Sequence, residues 1–210
     1  LAATLYDAGF AVIVSEDWNE RYAAGRALWK ESLALYRELG DKVGIAADLW
    51  ALSTAAFFSG DVEGAERMAL ESVELSREAG DSFRVGWGTH LVGLGMIALG
   101  RLDESVTMLS ESFEIWVAGQ DRGGISMLLL DAGFLAEARG RSERGWRLLG
   151  AAARVRRESG SAIGTEVSQG PGWTPRLEPE TDAEHAWFAS GELLDDDEGV
   201  SLARAELAES

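Results

Sequence analysis

The sequence contains no cysteine, only three prolines and only two histidines. The absence of cysteine excludes disulfides, thiolate nucleophiles and cysteine-ligated metals. No apolar run approaches the roughly 20 residues of a membrane-spanning helix, and no secretory signal opens the chain. Basic residues are also scarce: 19 Lys and Arg stand against 36 Asp and Glu, a formal charge of −17. This excess repels phosphate groups, so we expect no direct binding of nucleic acid or of an anionic membrane.

What is present is the composition of a soluble globular protein, with 46% hydrophobic and 26% charged residues. A length of 210 residues allows one good-sized domain or two small ones. The chain starts at Leu1 with a helical pattern already under way. We therefore expect a piece of a larger protein, in the cytoplasm.

A similar sequence segment recurs every 40 residues along the chain. "ESLALYRELGD" (31–41), "ESVELSREAGD" (71–81) and "ESFEIWVAGQD" (111–121) fall in register, and "AAARVRRESGS" (151–161) continues the series. A second set of Gly-containing turns lies half a period away, in "SGD", "LGR" and "RGR". Between these points apolar residues recur every three or four positions, which is typical of amphipathic helices. The period therefore predicts units of two helices, each about 18 residues long.

The residues at the turns support this interpretation. Glycine adopts the left-handed conformation that often ends a helix, and it occupies that place at Gly40, Gly80 and Gly160. A side chain that can accept the first free N–H groups of the next helix follows, at Asp41, Asp81, Asp121 and Ser161.

In its small residues the repeat resembles the tetratricopeptide repeat (TPR). Three sets of positions match those at which TPR helices cross closely. They are Gly9, Ser53, Gly93 and Gly133; Gly25, Ala65, Ser105 and Gly145; and Ser32, Ser72, Ser112 and Ala152. The sequence departs from the TPR pattern in three ways. Its period is 40 residues instead of 34, and the usual terminal proline is missing. The first helix pair also carries about four extra residues near Ser15 to Trp18.

We therefore predict an all-α, TPR-like α-solenoid of about four antiparallel helix pairs with a small helical C-terminal cap. The predicted divisions are a repeat domain over 1–160, a linker over 161–180 and the cap over 181–210.

The end of the chain carries a second resemblance. "RLLGAAARVRRESG" (147–160), the Pro-containing "SQGPGWTPRLEPE" (168–180) and "AWFASGELLDDDEGVSLARAEL" (186–207) are similar to the end of the C-terminal repeat region in bacterial LuxR/AfsR-type transcriptional regulators and related predicted signalling ATPases. The resemblance implies a sensor, scaffold or regulatory arm. The ATPase phosphate loop GxxxxGK[ST] and a basic recognition helix, which other parts of those proteins carry, do not occur in this sequence.

The TPR resemblance also implies a concave groove lined by the first helix of each pair. The corresponding positions are unusually apolar and aromatic: Tyr6, Phe10, Trp50, Thr54, Phe57, Trp87, His90, Leu94, Met127 and Phe134, with Ile13, Leu130 and Glu137 beside them. An open groove of this kind would bind a partner helix, a peptide or a small apolar effector, with Trp50, Trp87 and His90 as anchors. Two alternatives stay open. These residues form a packed core, or the tail with Trp173 and Trp187 fills the groove.

Polar candidates elsewhere are weaker. His185 with Asp182 and Glu184 suggests a metal site, but an acidic helix N-terminus explains the same residues. His90 suggests a dyad with Asp48 or Asp131, yet no nucleophile or oxyanion donor accompanies it.

The charged segments near the end of the chain allow similar alternatives. The basic "RVRRE" (154–158) either stays solvated or pairs with the acidic tail, and "DDDE" (195–198) is interpreted as the cap of the last helix. "GPGWTP" (170–175) is interpreted as a loop of the linker, although Trp173 is also a candidate recognition residue.

We therefore expect a non-catalytic protein-interaction and effector-sensing module, with no catalytic residue, cofactor or metal. Its partners would be a protein or peptide, the upstream domains of its own full-length chain, or a small apolar effector. The alternative is a pure scaffold or self-association module without a small ligand. A metal or polar triad in the groove would point to an enzyme instead.

Overall fold

The computed structural model describes residues 1–13, 18–160 and 175–209, and these residues form ten α-helices and no strand. The predicted all-α class is confirmed. In chain order the helices are α1 (Ala2–Ile13), α2 (Trp18–Leu39), α3 (Lys42–Phe58), α4 (Val62–Ala79), α5 (Ser82–Ala98), α6 (Leu102–Ala118), α7 (Arg122–Ala138), α8 (Ser142–Ser159), α9 (Asp182–Glu192) and α10 (Asp196–Ala208).

Helices that follow one another in the chain pack as antiparallel pairs, which confirms the predicted helical repeat. The described residues divide into two compact units. Unit 1 (residues 1–13 and 18–92) holds the pairs α1/α2 and α3/α4 and the beginning of α5. Unit 2 (residues 93–160 and 175–209) holds the rest of α5, α6 and the pair α7/α8, with α9 packed on α8 and α10 packed across α6, α7 and α8. The two terminal helices form the predicted cap.

The predicted turn residues have the expected conformations. Backbone φ is positive at Gly40, Gly80 and Gly160 (68°, 70° and 68°). After the turns that precede α3, α5 and α7, the carboxylates of Asp41, Asp81 and Asp121 accept hydrogen bonds from first-turn N–H groups. The turn before α7 is the exception in one respect. Gly119 remains right-handed, and Gln120 takes the left-handed conformation with φ of 52°.

The small residues lie where two helices cross. A Cβ atom added to Gly25 would lie 3.1 Å from the Gly9 carbonyl oxygen, and one added to Gly145 would lie 3.1 Å from that of Gly133. A Cβ on Gly9 would collide with the indole of Trp29. Larger side chains at these positions would push the helix axes apart, so the close pairing predicted from the TPR resemblance is confirmed.

Serine hydroxyls tie helices together within the pairs. Ser32 of α2 donates to the carbonyl of Ala2 at 3.0 Å, and Ser72 of α4 donates to the carbonyl of Ala46 at 2.7 Å. Both serines are fully buried. The hydroxyls therefore fix the register of the second helix against the first turn of its partner.

Several predictions lie outside the described residues. They are the cap at Ser161, most of the linker (161–174) with Trp173, and the insertion at 15–17; the side chains of Ile13 and Trp18 also fall outside. Among the described helices, none is both long and apolar enough to cross a membrane.

Candidate functional site

In unit 1 the first helices of the repeats bring five of the predicted residues together. Ring centroids are separated by 5.1 Å between Tyr6 and Phe10, 6.0 Å between Phe10 and Trp50, and 6.4 Å between Trp50 and Trp87. His90 packs edge-on against Trp87 at 5.8 Å. We call these five residues, together with Phe83, the aromatic strip. It runs without a break from α1 across α3 to α5.

Trp29 of α2 supports the strip from behind. Its ring lies 5.0 Å from that of Phe10, and its indole N–H donates to the backbone carbonyl of Tyr6 at 3.1 Å. Gly9 lacks the Cβ that would block this approach. Because Trp29 is only 1% exposed and packs among other buried residues of unit 1, it holds α1 and its two rings in a fixed position.

One edge of the strip reaches solvent. Phe83, in the first turn of α5, is 61% exposed and its ring lies 6.2 Å from that of Trp87. Tyr6, Phe10, Trp50 and Trp87 are each half-buried. Exposed aromatic surface next to half-buried rings is typical of sites that bind apolar groups, because water solvates such surfaces poorly.

Charged and polar groups lie at the Tyr6 end of the strip. Arg84 forms an ion pair with Asp81 on its own helix. Burial raises the pKa of the Tyr6 hydroxyl, the nearby Arg84 guanidinium acts in the opposite direction, and Asp48 adds to the increase. A partner that lies along the rings would therefore meet a hydrogen-bonding and cationic group at this end.

Asp48 on α3 is a buried carboxylate. It is 0% exposed, and neither of its oxygens has a hydrogen-bond partner among the described residues. Burial raises its pKa to about 6, and the neighbouring Ser32 hydroxyl lowers the pKa by a smaller amount. That hydroxyl donates its proton to the Ala2 carbonyl. An ionised carboxylate in such surroundings is costly, so Asp48 destabilises unit 1 at neutral pH.

The other predicted groove positions are interior. Phe57, His90, Leu94, Met127 and Phe134 are each between 1% and 5% exposed. His90 contacts the strip at its buried end. Thr54 is half-buried and donates its hydroxyl to the Trp50 carbonyl at 3.0 Å. Of the predicted set, the accessible aromatic residues are thus the four half-buried rings of unit 1.

In unit 2 tail residues line a cleft together with one predicted groove position. Leu130, Leu149, Leu177 and Phe188 line this cleft of about 470 Å³. Arg176 stacks over the Trp146 ring at 5.3 Å. Tail residues 176–188 thus lie beside one predicted groove position, while Trp173 lies outside the described residues.

The acidic start of α9 was expected to be solvated, but one of its carboxylates is buried and paired. Glu184 is 9% exposed and takes two hydrogen bonds from Arg176, at 3.1 and 2.9 Å. These bonds, with others from the N–H groups of Glu180 and Thr181, lower its pKa to about 2. Within the described residues no three metal-ligating side chains cluster. Glu184 therefore anchors the segment before α9, and Thr181 completes the capping box.

The predicted pairing of the basic "RVRRE" segment with the acidic tail is confirmed. Arg154 donates to Asp196 at 2.6 Å, and Arg157 donates to Glu192 at 2.8 Å. The cap predicted at "DDDE" is also present, since Asp195 and Glu198 form a capping box at the start of α10.

Two features were not predicted from the sequence. Phe83 occupies the repeat position of Val43 and Gly123, and an aromatic ring there was the available signal. The second feature is a cluster of arginines in unit 2 that binds acidic groups. Its available signal was the arginine-rich segment "RGRSERGWR" (139–147), which is unusually basic for so acidic a chain. In comparisons with known proteins, no family model and no curated protein matches this chain.

Proposed function

We propose that the chain is a non-catalytic interaction and effector-sensing module whose unit 1 binds an apolar partner through the aromatic strip. One observation carries the proposal: five rings from three successive first helices form a continuous surface with an exposed edge at Phe83, and the buried His90 packs against Trp87. Tryptophan and tyrosine dominate the binding energy of many interfaces, since each offers a large rigid surface with a polar group.

An amphipathic helix or extended peptide suits this surface best. Two or three apolar side chains of such a partner would lie against Trp50, Trp87 and Phe83, and its polar groups would face Tyr6 and Arg84. Burying one large apolar side chain contributes about 1.5–3 kcal/mol. Part of this gain offsets the entropy lost on association, which leaves a micromolar-class interaction as the expected outcome.

The kind of protein to which this module belongs is inferred from a resemblance. The repeats and residues 147–207 resemble the C-terminal regions of LuxR/AfsR-type regulators. On that basis we infer that it is a regulatory arm of a larger bacterial cytoplasmic regulator or signalling ATPase. Its partner is then a peptide or helix, or a domain upstream in the same full-length protein. A small apolar effector fits the same rings. The inference is by family analogy, and the strip itself supports only the binding role.

A pure scaffold is the second candidate. The tail residues that line a cleft with Leu130 favour it, because a repeat that packs against its own chain offers less surface to a ligand. Self-association without any apolar ligand would then be the main property of the chain.

A thermal-shift screen of amphipathic peptides and small apolar compounds tests the proposal. A ligand that binds only the folded protein raises Tm according to its concentration and Kd. Phe83→Ala removes an exposed ring at the edge of the strip, and Leu70→Ala removes a 41% exposed apolar side chain on α4 as a matched control. We expect hits whose shift is lost in Phe83→Ala and kept in Leu70→Ala. Equal shifts in both variants, or no hit alongside concentration-dependent self-association, would contradict the proposal.

A further inference from the structure

The last helix is held on unit 2 by a buried carboxylate. Glu206 of α10 is 0% exposed, and three arginines donate to its side chain. The distances are 3.1 Å from Arg139, 2.9 Å from Arg141 and 2.9 Å from Arg144. We call these three residues, which lie at the end of α7 and the start of α8, the arginine cluster.

The same cluster holds the C-terminus of α10. Arg144 binds both carboxylate oxygens of Glu209, at 2.8 and 3.0 Å. Arg139 donates to the backbone carbonyls of Glu206 and Glu209, at 3.3 and 2.8 Å. Carbonyl groups at a helix C-terminus have no partner within the helix and carry a partial negative charge. The cluster therefore recognises both the acidic side chains and the end of the helix.

The cluster adjoins the N-terminus of α8, which carries the opposite partial charge. In the described residues no side chain caps this N-terminus, because Arg141 stands at the N-cap position that an Asp occupies before α3, α4 and α7. The negative end of α10 thus meets a positively charged helix start as well as three guanidinium groups.

The contacts at the other end of α10 are also ionic. Asp196 accepts from Arg122 and Arg154, each at 2.6 Å. In the C-terminal half of α10, Arg204 pairs with Glu114 at 3.1 Å. Apolar contact is limited and depends on small residues: Gly199 faces Leu129 and Ala151, and the buried apolar side chains of α10 are Ala203 and Leu207. The charged contacts thus surround a small apolar contact and set the position of this 13-residue helix on it.

Ionic docking of this kind is selective and reversible. The attraction between buried charges is largely offset by the cost of removing them from water, so such pairs specify a partner more than they stabilise it. We propose that the arginine cluster and the surface beneath α10 are a binding site for the acidic C-terminal end of an amphipathic helix. α10 occupies this site in cis, and a partner helix with equivalent carboxylates and small residues displaces it.

Binding of a synthetic α10 peptide to the full chain tests this site. The probe is a fluorescein-labelled peptide of residues 195–209, and fluorescence anisotropy gives its Kd. In the wild-type protein the tethered α10 competes at an effective concentration on the order of millimolar, so the peptide binds weakly. Glu206→Gln keeps the shape of the side chain but removes the one carboxylate that all three arginines share, which weakens docking in cis. We expect this variant to bind the peptide at least 10-fold more tightly than the wild type.

Three comparisons establish that the binding is specific. Asp197→Asn removes an exposed acid from α10 that makes none of the contacts described above, and this protein should behave like the wild type. A peptide carrying Gln in place of Glu206 should not bind. Raising NaCl from 50 to 300 mM should weaken binding several-fold, since added salt screens charge pairs.

Hydrogen exchange of the α10 amides completes the test. We expect exchange in α10 to increase in Glu206→Gln while α7 and α8 remain protected. If α10 stays protected in that variant, ionic docking does not hold the helix and the inference is wrong. If α10 is released but the peptide binds no better than to the wild type, the cluster is not a site for a partner helix. Either result leaves the aromatic strip untouched, since the strip belongs to unit 1.

Discussion

Replacing Asp48 by asparagine should stabilise the protein at neutral pH and leave it little changed in acid. Burial raises the pKa of Asp48 from 3.8 to about 6, so the folded protein binds this proton more tightly than the unfolded chain does. Stability is therefore greatest when the carboxyl is protonated, and it falls as the pH rises through the interval between these two values. Asparagine has the same shape and no charge, so the variant lacks this loss.

The size of the effect follows from the pKa difference. Each unit corresponds to about 1.4 kcal/mol, so the full penalty at high pH is about 3 kcal/mol. About 2 kcal/mol of it develops between pH 4.5 and pH 8. The difference between those two pH values is the quantity to measure, since any constant effect of the amide, such as an unpaired N–H, cancels in it.

Urea unfolding followed by tryptophan fluorescence provides the measurement. Wild type, Asp48→Asn and Asp7→Asn are compared at pH 4.5, 6 and 8; Asp7 lies on α1 in the same unit, and its side chain is exposed. We expect the advantage of Asp48→Asn to grow with pH, and Asp7→Asn serves as the control for removal of an acidic side chain from the same unit. A gap for Asp48→Asn that does not change with pH would show that the carboxylate is solvated or paired, and would refute the reasoning.

Three further predictions concern stability and are checked by urea unfolding. Gln120→Gly should stabilise the protein by about 0.5–1 kcal/mol, because glycine takes the left-handed conformation at this turn without a Cβ clash; an unchanged midpoint would contradict this. Ser72→Ala should cost about 1 kcal/mol through loss of the buried bond to the Ala46 carbonyl, whereas no loss would show that the bond adds nothing. The contribution of Glu184, whose pKa the bond from Arg176 lowers from 4.5 to about 2, should be complete above pH 4.5 and disappear as the pH falls through about 2. Glu184→Gln should therefore be less stable than the wild type at pH 7 and approach it in acid, and a gap that persists in acid would contradict this.

The repeat fold was predictable because its determinants are local. Gly40 and Gly80 favour a left-handed helix end and Asp41 and Asp81 favour a new helix start, whatever the rest of the chain does. Close helix crossings were equally accessible, since the size of the residue at each crossing sets how near two helix axes lie. Gln120 shows the limit: the turn before α7 forms with a non-glycine residue in the left-handed conformation.

The site was only partly predictable. Helical position identified Tyr6, Phe10, Trp50 and Trp87 as neighbours on one surface, which the structure shows. Position alone does not determine what covers a side chain, however. Met127 occupies the repeat position of Trp87 and Phe134 that of Phe10, yet both side chains are buried.

The burial of an acidic side chain on α10 could not be predicted from repeat positions. Glu206 is one of 36 acidic residues, and its arginine partners lie 62–67 positions earlier in the chain. Nothing in its local sequence separates it from the exposed acids around it.

The binding role of the aromatic strip is tested most directly by NMR of the tryptophan side chains. The chain has eight tryptophans, so a ¹H–¹⁵N spectrum of the indole groups gives a probe in each unit. During titration with an amphipathic peptide or apolar compound selected by thermal shift, the account predicts that the signals of Trp50 and Trp87 move with a common Kd. The fully buried Trp116 and Trp146 of unit 2 should stay in place. Movement of Trp116 and Trp146 with Trp50 and Trp87 unchanged would contradict the account.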